Sequence, residues 1–464
     1  MFSQPLDSET IAAISTPPGS GGIGIIRISG PRALAILQLI FVPRDSSCRY
    51  KSHLLYYGRI CDPIDQHIMD EVLAVFMAAP RTYTREDVVE IHCHGNFLVL
   101  QSILELILQH DVRLAEAGEF TKRAYLNGRM DLTQAEAVID VLAAKTRKGL
   151  DLAVQQLAGA LYERVDAIRR VLVEIRALVE VAIDFPDEDI EIVDYGHLAD
   201  RLRTEVLAPL DILLRHADQG RIFREGVSVV IMGLPNVGKS SLLNTLLQEE
   251  RALVTEIPGT TRDTIEEYVD IRGVPVRLVD TAGIRHGAEE VEEMGIRRAH
   301  EQMARADLVL FMVDLNRELS EADRELYAAV SHKPVVLVAN KNDVVDGAGP
   351  NLSEFTCTGR SLVRISARTQ QGIEELKHAI FTAVTGGREQ WQEEACAPNV
   401  RHRQALVRAR AAAELALDGV SVQQTSDLLA IDLQECLNQL DEIVGVTTTE
   451  DVLDVIFEQF CLGK

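Results

Sequence analysis

The hydrophobic pattern changes character several times along the chain. Up to about Leu126, alternating runs such as Ile23-Gly-Ile-Ile-Arg-Ile28 and Val88-Val-Glu-Ile-His92 predict half-buried strands, with one helical run from Phe97 to Gln109 among them. From Thr133 to Ile183 apolar positions recur at helical spacing throughout, with Thr133 and Glu136 placed as a capping box and Phe185-Pro186 as the stop. The middle third carries short continuous apolar runs, Val227 to Met232, Pro275 to Val279, Pro334 to Ala339 and Leu362 to Ile365, which predict strands, and Ser240 to Leu247 predicts a helix after the first. Val400 to Leu417 and Ser426 to Gln459 return to helical spacing. The expected organisation is multidomain: an α+β domain at 1–126, a helical segment at 127–222, an α/β domain at 223–386 and a second helical segment at 387–464. The two helical segments would form one domain that holds the α/β domain as an insert. At 464 residues the chain exceeds the size at which one core keeps growing, and the α/β part uses only about 160 of them. It has no internal repeat and no low-complexity tract.

Between the first apolar strand and its helix, Gly233 to Ser241 reads GLPNVGKSS and fits the phosphate-binding pattern GxxxxGK[ST] in its required context. Asn236, Val237, Gly238, Lys239, Ser240 and Ser241 would line the phosphates, Lys239 reaching the β- and γ-groups and Ser240 offering its hydroxyl to Mg²⁺. Downstream, Asp280, Thr281, Ala282 and Gly283 form DxxG, which senses the γ-phosphate. Asn340, Lys341 and Asp343 form NKxD, whose carboxylate accepts from guanine N1–H and N2–H₂ and so selects GTP, since adenine lacks that donor pair. Ser366, Ala367 and Arg368 resemble the last element that GTPases place behind the guanine. These signals, in this order, predict a P-loop GTPase domain.

The hydrolytic apparatus departs from the Ras pattern. The residue after DxxG is Ile284, which cannot orient a water, so the catalytic group must come from elsewhere. Glu292, in the acidic run 289–293, is the candidate; the plain alternative for that run is a solvated helix face. No arginine finger is identifiable, and the carbonyl oxygen of Asn236 is placed to hold a monovalent cation that would neutralise charge between the β- and γ-phosphates.

Motifs outside the GTPase signature are more specific. From Thr16-Pro-Pro-Gly-Ser-Gly-Gly22 to the closing Phe457-Glu-Gln-Phe-Cys-Leu-Gly-Lys464, and through Gly118-Glu-Phe-Thr-Lys-Arg-Ala124, Asp131-Leu-Thr-Gln-Ala-Glu136, Ile183-Asp-Phe-Pro186 and Gly259-Thr-Thr-Arg-Asp263, the whole chain resembles the MnmE (TrmE) family of bacterial tRNA-modification GTPases. The resemblance implies a potassium-activated GTPase, a homodimer whose G domains pair when GTP is bound. It assigns K⁺ to Asn236, Thr255, Ile257 and Thr260, Mg²⁺ to Ser240 and Thr261, assistance in hydrolysis to Glu292, and nucleotide contact to the segment Thr255, Glu256, Ile257, Pro258, Gly259, Thr260 and Thr261. It implies a flavoprotein partner, MnmG (GidA), which uses FAD and NADH, in a heterotetramer. Together they would add an aminomethyl or carboxymethylaminomethyl group at C5 of the tRNA wobble uridine.

Gly19, Gly21 and Gly24 satisfy GxGxxG literally, but the next residues alternate as a strand instead of opening a helix, so the dinucleotide fingerprint fails. In the MnmE family this domain resembles one-carbon folate enzymes and binds 5,10-methylene- or 5-formyl-tetrahydrofolate. The matching positions are Arg27, Glu90, Arg129 and Lys464, with Arg129 standing where the family often has Lys. Cys461, near the chain end with Lys464 beside it, is a candidate reactive thiol set against a merely frayed end. Glu90, His92 and His94 alternate on one strand face; a polar face explains them more simply than a metal site.

The formal charge of −24 repels phosphate, so any tRNA contact needs a local patch. Arg401, His402, Arg403, Arg408 and Arg410 make the densest basic run, and Arg164, Arg169 and Arg170 a second; ordinary solvated helix surface is the alternative for both. No apolar run approaches the roughly twenty residues of a membrane span, and Met1 to Thr16 carries no basic lead. Seven cysteines without a CxxC pair predict free thiols in a reducing cytoplasm. A ribosome-assembly GTPase with no covalent product is the alternative of another class, but it would be expected to carry an RNA-binding module such as KH with its GXXG loop, which the chain lacks. A folate enzyme with a regulatory GTPase insert differs only in substrate.

Overall fold

The computed structural model describes residues 9–45, 49–184, 194–250, 268–280, 306–345, 350–356, 360–387, 396–447, 449–460 and 463. The alternating N-terminal segments become β1 (Ile11–Ile14), β2 (Ile23–Ser29), β3 (Phe41–Pro43), β4 (Leu54–Cys61), β5 (Ile68–Met77), β6 (Val88–His94) and β7 (Arg113–Leu114). They form one sheet in the order β3-β4-β5-β6-β2-β1-β7, antiparallel throughout except for the β1–β7 pair. Period-two alternation decides what each face carries. Ile26, Ile28, Val89 and Ile91 point into a core with α1 (Ala33–Ile40) and α2 (Phe97–Leu108). The residues between them, Arg27 and Glu90, therefore face the other side, where α3 (Glu119–Leu126) lays Phe120 against Ile11 and Ala13.

The long helical pattern is cut more often than its periodicity predicts. It becomes α4 (Leu132–Ala143), α5 (Arg147–Leu157) and α6 (Ala160–Asp184), with Gly159 at φ +100 at the second break. The expected Thr133/Glu136 capping box is corrected to Asp131 and Gln134: Asp131 Oδ1 accepts from Gln134 N at 3.1 Å, and Gln134 Oε1 accepts from Asp131 N at 3.1 Å. The helix starts at Leu132, so Asp131 is the residue whose side chain reaches the free N–H groups. Thr133 and Glu136 are buried. Phe185-Pro186 lies outside the described residues.

The chain continues through α7 (Tyr195–Arg201), a π-helical stretch Leu202–Leu207 and α8 (Ala208–Glu225) into β8 (Val227–Met232). Then follow α9 (Lys239–Glu250), β9 (Tyr268–Ile271), β10 (Val274–Asp280), β11 (Leu308–Asp314), α10 (Glu321–Val330), β12 (Val335–Asn340), β13 (Leu362–Arg364) and α11 (Ile373–Thr385). The sheet runs β13-β12-β11-β8-β10-β9, parallel except for β9. Its strands are apolar at consecutive positions because both faces are covered: Val229, Ile231, Leu310 and Val338 enter one core, Val309, Phe311, Val313 and Leu337 the other. Leu152 and Phe223 of the preceding helices join the first of these cores.

After α12 (Val400–Ser421), the second predicted run, Ser426 to Gln459, divides into α13 (Ser426–Val444) and α14 (Glu450–Phe457). The break is at Gly445, φ +86, where a Cβ would lie 2.5 Å from Tyr125 Oη. Tyr125 Oη donates to Gly445 O at 2.6 Å, and Leu453, Ile456 and Phe457 pack with Leu132 and Ala135. The described residues gather into two compact units, one up to Ile139 and from Asn438 onward, the other from Asp140 to Leu437. Among the described residues no helix is long and apolar enough to cross a membrane.

Candidate functional site

At the carboxyl ends of the parallel strands, β8 delivers the chain into 233–238 and α9 takes it away. Gly233 holds φ +154 and Gly238 φ +100. A Cβ on Gly233 would lie 2.4 Å from Met312 O, and one on Gly238 2.2 Å from Asn340 Nδ2. Glycine is required at both by backbone angle and by space. Asn236 sits at φ +63, which asparagine tolerates better than most residues, and is exposed. Lys239 Nζ donates to the carbonyl oxygens of Gly233 and Leu234, both at 2.9 Å, so the loop curls around its own cation. Ser240, in the first turn of α9, is exposed. Loop N–H groups and a helix N-terminus together make an anion cradle.

Asn340 ties the other motifs to this loop. Buried at the end of β12, it donates from Nδ2 to Val237 O at 2.8 Å and accepts at Oδ1 from Ala367 N at 3.0 Å. Thr245 Oγ1 of α9 donates to Ala367 O at 3.0 Å, and Asn342 N donates to Ile365 O at 3.0 Å. Lys341, at φ +68, pairs with Asp314 at 2.6 Å, while Asp343 is exposed. The phosphate loop, NKxD and 366–368 are thus one hydrogen-bonded assembly. Asp280, the last residue of β10, lies in register with Ile231 of β8. Thr255 to Thr261, Thr281 to Gly283 and Glu292 lie outside the described residues.

A second cluster occupies the face of the N-terminal sheet opposite α1 and α2. Arg27 and Glu90 are register partners, and Arg27 Nε and Nη2 both donate to Glu90 Oε1, at 2.9 and 2.8 Å. Glu90 Oε2 lies 3.6 Å from His92 Nε2. Arg27 Cζ is 5.6 Å from the ring centroids of Tyr83 and Phe120, and Arg129 Cζ is 4.5 Å from that of Tyr83. Arg129 Nη1 also donates to Tyr83 O at 2.9 Å, and Tyr83 Oη shares a hydrogen bond with Thr121 Oγ1 at 2.9 Å. Two sequence-predicted cations, Arg27 and Arg129, therefore meet at one tyrosine, and the third residue, Glu90, is bonded to the first of them. Cys461 and Lys464 lie outside the described residues, but Gly463 accepts from Ser15 Oγ at 3.0 Å. At φ +91, a Cβ there would lie 2.2 Å from Ile14 O. Gly463 thus lies at the end of β1, the strand paired with that of Arg27.

The profile of the GTP-binding protein TrmE N-terminus matches residues 10–129, and that of the MnmE helical domain matches residues 132–461. The tRNA modification GTPase MnmE of Desulfotalea psychrophila is 60% identical over 462 residues, 99% of each chain. The protein of the same name from Natranaerobius thermophilus is 44% identical over 461 residues, 99% of this chain and 100% of its own. This chain belongs to the MnmE family. Among solved structures, a variant of Aquifex aeolicus Era bound to GDP·AlF4⁻ shares 26% identity over 40% of this chain and 66% of its own, with a TM-score of 0.28.

Nothing in the sequence of this MnmE-family chain singles out Tyr83; only the tertiary register, which lays the loop before β6 over Arg27, reveals it. The expected basic patches are largely neutralised by neighbours. Arg403 pairs with Asp218 and Arg410 with Asp211, each at 2.7 Å, while Arg169 and Arg170 share Asp166. His402 is fully buried and accepts from Asn399 N through Nδ1, capping α12. His94 turns to Asp70 at 2.6 Å, a bond that raises its pKa, and does not converge with His92. Among the described residues no three His, Cys, Asp or Glu side chains are placed to hold a metal. Cys61, Cys93, Cys396 and Cys436 are free and buried. Burial pushes the thiols of Cys93 and Cys436 up to about 12 and that of Cys396 to about 11, which keeps them protonated and unreactive.

Proposed function

We propose that this chain, a tRNA-modification GTPase, works with the flavoprotein MnmG to install an aminomethyl or carboxymethylaminomethyl group at C5 of the wobble uridine, using a folate one-carbon unit. The GTPase part comes with family membership. The observation that supports the folate part is that Arg27 and Arg129 both lie against Tyr83 while Glu90 pairs with Arg27, which brings two cations and one carboxylate into one cluster. Glu90 accepts from pterin N–H donors through the oxygen that Arg27 leaves open, and Arg27, Arg129 and Lys464 meet pterin or glutamate groups of the folate. Tetrahydrofolate supplies the one-carbon unit.

In the nucleotide site, 233–238 binds phosphate through backbone N–H groups, and Lys239 exchanges its loop carbonyls for β- and γ-phosphate oxygens. Asp343 pairs with guanine, and Ser366 to Arg368 back the base. The exposed positions of Ser240 and Asn236 fit cation binding. Mg²⁺ held by Ser240 and Thr261, and K⁺ held by Asn236, Thr255, Ile257 and Thr260, supply neutralisation of the phosphate charge. Glu292 orients the water, and Cys461 faces the modification substrate. We further propose domains at 1–126, 127–222, 223–386 and 387–464, a homodimer whose G domains pair on GTP, a heterotetramer with MnmG, and a cytoplasmic site of action.

The test is nucleoside mass analysis of bulk tRNA from cells lacking the gene and from cells complemented with wild type, Cys461→Ser or Asp343→Ala. The expected result is loss of the C5-modified wobble uridine, restored by wild type alone. Unchanged nucleosides in the deletion would overturn the reading.

A further inference from the structure

We propose that Tyr83 is a positioning residue of the folate site, acting chiefly through Arg129; this rests on the folate reading above. Both arginines lie against its ring. Its own place is set by the residues on either side of it: Thr82 Oγ1 donates to Glu86 O at 2.6 Å, and the fully buried Thr84 shares a 2.6 Å hydrogen bond with Ser29. Thr84 O accepts from Asn127 Nδ2 at 2.7 Å. The loop therefore holds the ring from the backbone outward, and the ring in turn sets the cations.

The two arginines depend on Tyr83 unequally. Arg27 is pinned independently by Glu90 and by Phe120, so it keeps its place if the Tyr83 ring goes. Arg129 is exposed, and among the described residues its guanidinium meets the Tyr83 ring at 4.5 Å and the Tyr83 backbone carbonyl at 2.9 Å, of which only the ring is lost when the side chain is replaced. An exposed arginine has many rotamers, and a ligand that meets it unpinned must bear the cost of ordering it. The cation–π contact with Tyr83 removes most of that cost in advance and leaves the remaining N–H donors of Arg129 open to an anionic ligand group. The hydroxyl of Tyr83 reaches Thr121 and no cation, so the ring and not the phenol is the working part.

Equilibrium binding of 5-formyltetrahydrofolate to the full-length protein tests this, with hydrogen exchange of the N-terminal unit, to which Tyr83 belongs, as the control for folding. Tyr83→Leu is expected to weaken binding about tenfold, equal to about 1.4 kcal/mol. Tyr83→Phe is expected to stay within threefold of wild type. Arg129→Gln is expected to cost about tenfold alone and to add little to Tyr83→Leu, because the ring acts through that one cation. Additive losses, near a hundredfold in the double variant, would show that Tyr83 acts without Arg129. A Phe variant as weak as the Leu variant would move the role to the phenol, and either result overturns the proposal. A wild-type protein that binds no reduced folate overturns the folate reading itself, a different failure from wild type and Tyr83→Leu binding equally well.

Discussion

The two candidate sites prepare their cations in contrasting ways. Lys239 is held by carbonyls of its own loop, Gly233 and Leu234, so one short stretch of chain contains the cation, its holder and the phosphate cradle. Arg27 and Arg129 are held by Glu90, Phe120 and Tyr83, which come from β6, α3 and the loop before β6. The first site is a property of local sequence and backbone angle. The second exists only when strand register and helix docking are right, and this difference predicts that the sites will respond differently to the same kinds of damage.

The largest separation should come from Asp343→Ala. Removing the carboxylate that pairs with guanine leaves the base's donors unmet, and discrimination of this kind is worth several orders of magnitude. GTP affinity is expected to fall at least about a hundredfold by nucleotide titration, while binding of reduced folate stays within about twofold. A parallel loss of both would mean that the two sites are not separable.

Asn340→Ala should come next. Its side chain bonds both Val237 O and Ala367 N, so the variant leaves a buried N–H without a partner and uncouples the phosphate loop from 366–368. An unmet buried donor costs about 1–3 kcal/mol, or roughly ten- to a hundredfold in GTP affinity if the loss falls on binding. Unchanged affinity would show that the loops hold their places without this link.

The same contrast explains what could be foreseen. The strands at Val227, Pro275, Pro334 and Leu362 and the phosphate loop were legible because each is a contiguous run with a local cause, continuous burial or a glycine that only positive φ explains. Helix interruptions were not legible where the cause is distant: Gly445 breaks a helical pattern because Tyr125 stands against it. The shift of the α4 cap to Asp131 turned on a one-residue choice of start that periodicity does not determine. Arg27 stood out only through family resemblance, Glu90 through that and its alternation with His92 and His94, and Tyr83 through no sequence signal at all. The partners of the basic runs were hidden for a related reason, since sequence shows a cluster of arginines but not the Asp218 and Asp211 that face Arg403 and Arg410.

Acid should find the second site's scaffold before the first. Burial by itself pushes the Glu119 carboxyl up, but hydrogen bonds from Arg113, the Glu116 N–H and Arg123 outweigh it and hold the group below the ordinary glutamate value. A carboxyl depressed in the folded state contributes stability in full above its unfolded value, about 4.3, and loses it as pH falls through that value toward the folded one. Stability of the N-terminal unit, followed by hydrogen exchange, is therefore expected to decline as pH falls below about 5. Glu119→Gln should flatten that slope and cost about 3 kcal/mol at pH 7, because it leaves Arg123 buried with a partner removed. A slope unchanged by the substitution would mean that other carboxyls carry the acid sensitivity.

The smallest expected effect bears on how far the second site extends. Gly463 lies against Ile14 O with φ +91, so an alanine there meets both a backbone penalty of about 1–2 kcal/mol and a steric one. The cheapest relief is for Gly463 to leave β1 and give up the bond from Ser15. If Lys464 and Cys461 serve the folate site, Gly463→Ala should weaken reduced-folate binding severalfold and lower the C5-modified wobble uridine in complemented cells. GTP turnover should stay within about twofold, because the phosphate loop is held by β8, α9 and Asn340, all in the other compact unit. A variant with normal folate binding and normal tRNA would confine the site to Arg27, Glu90, Arg129 and Tyr83, and would leave the docked end of the chain a structural feature only.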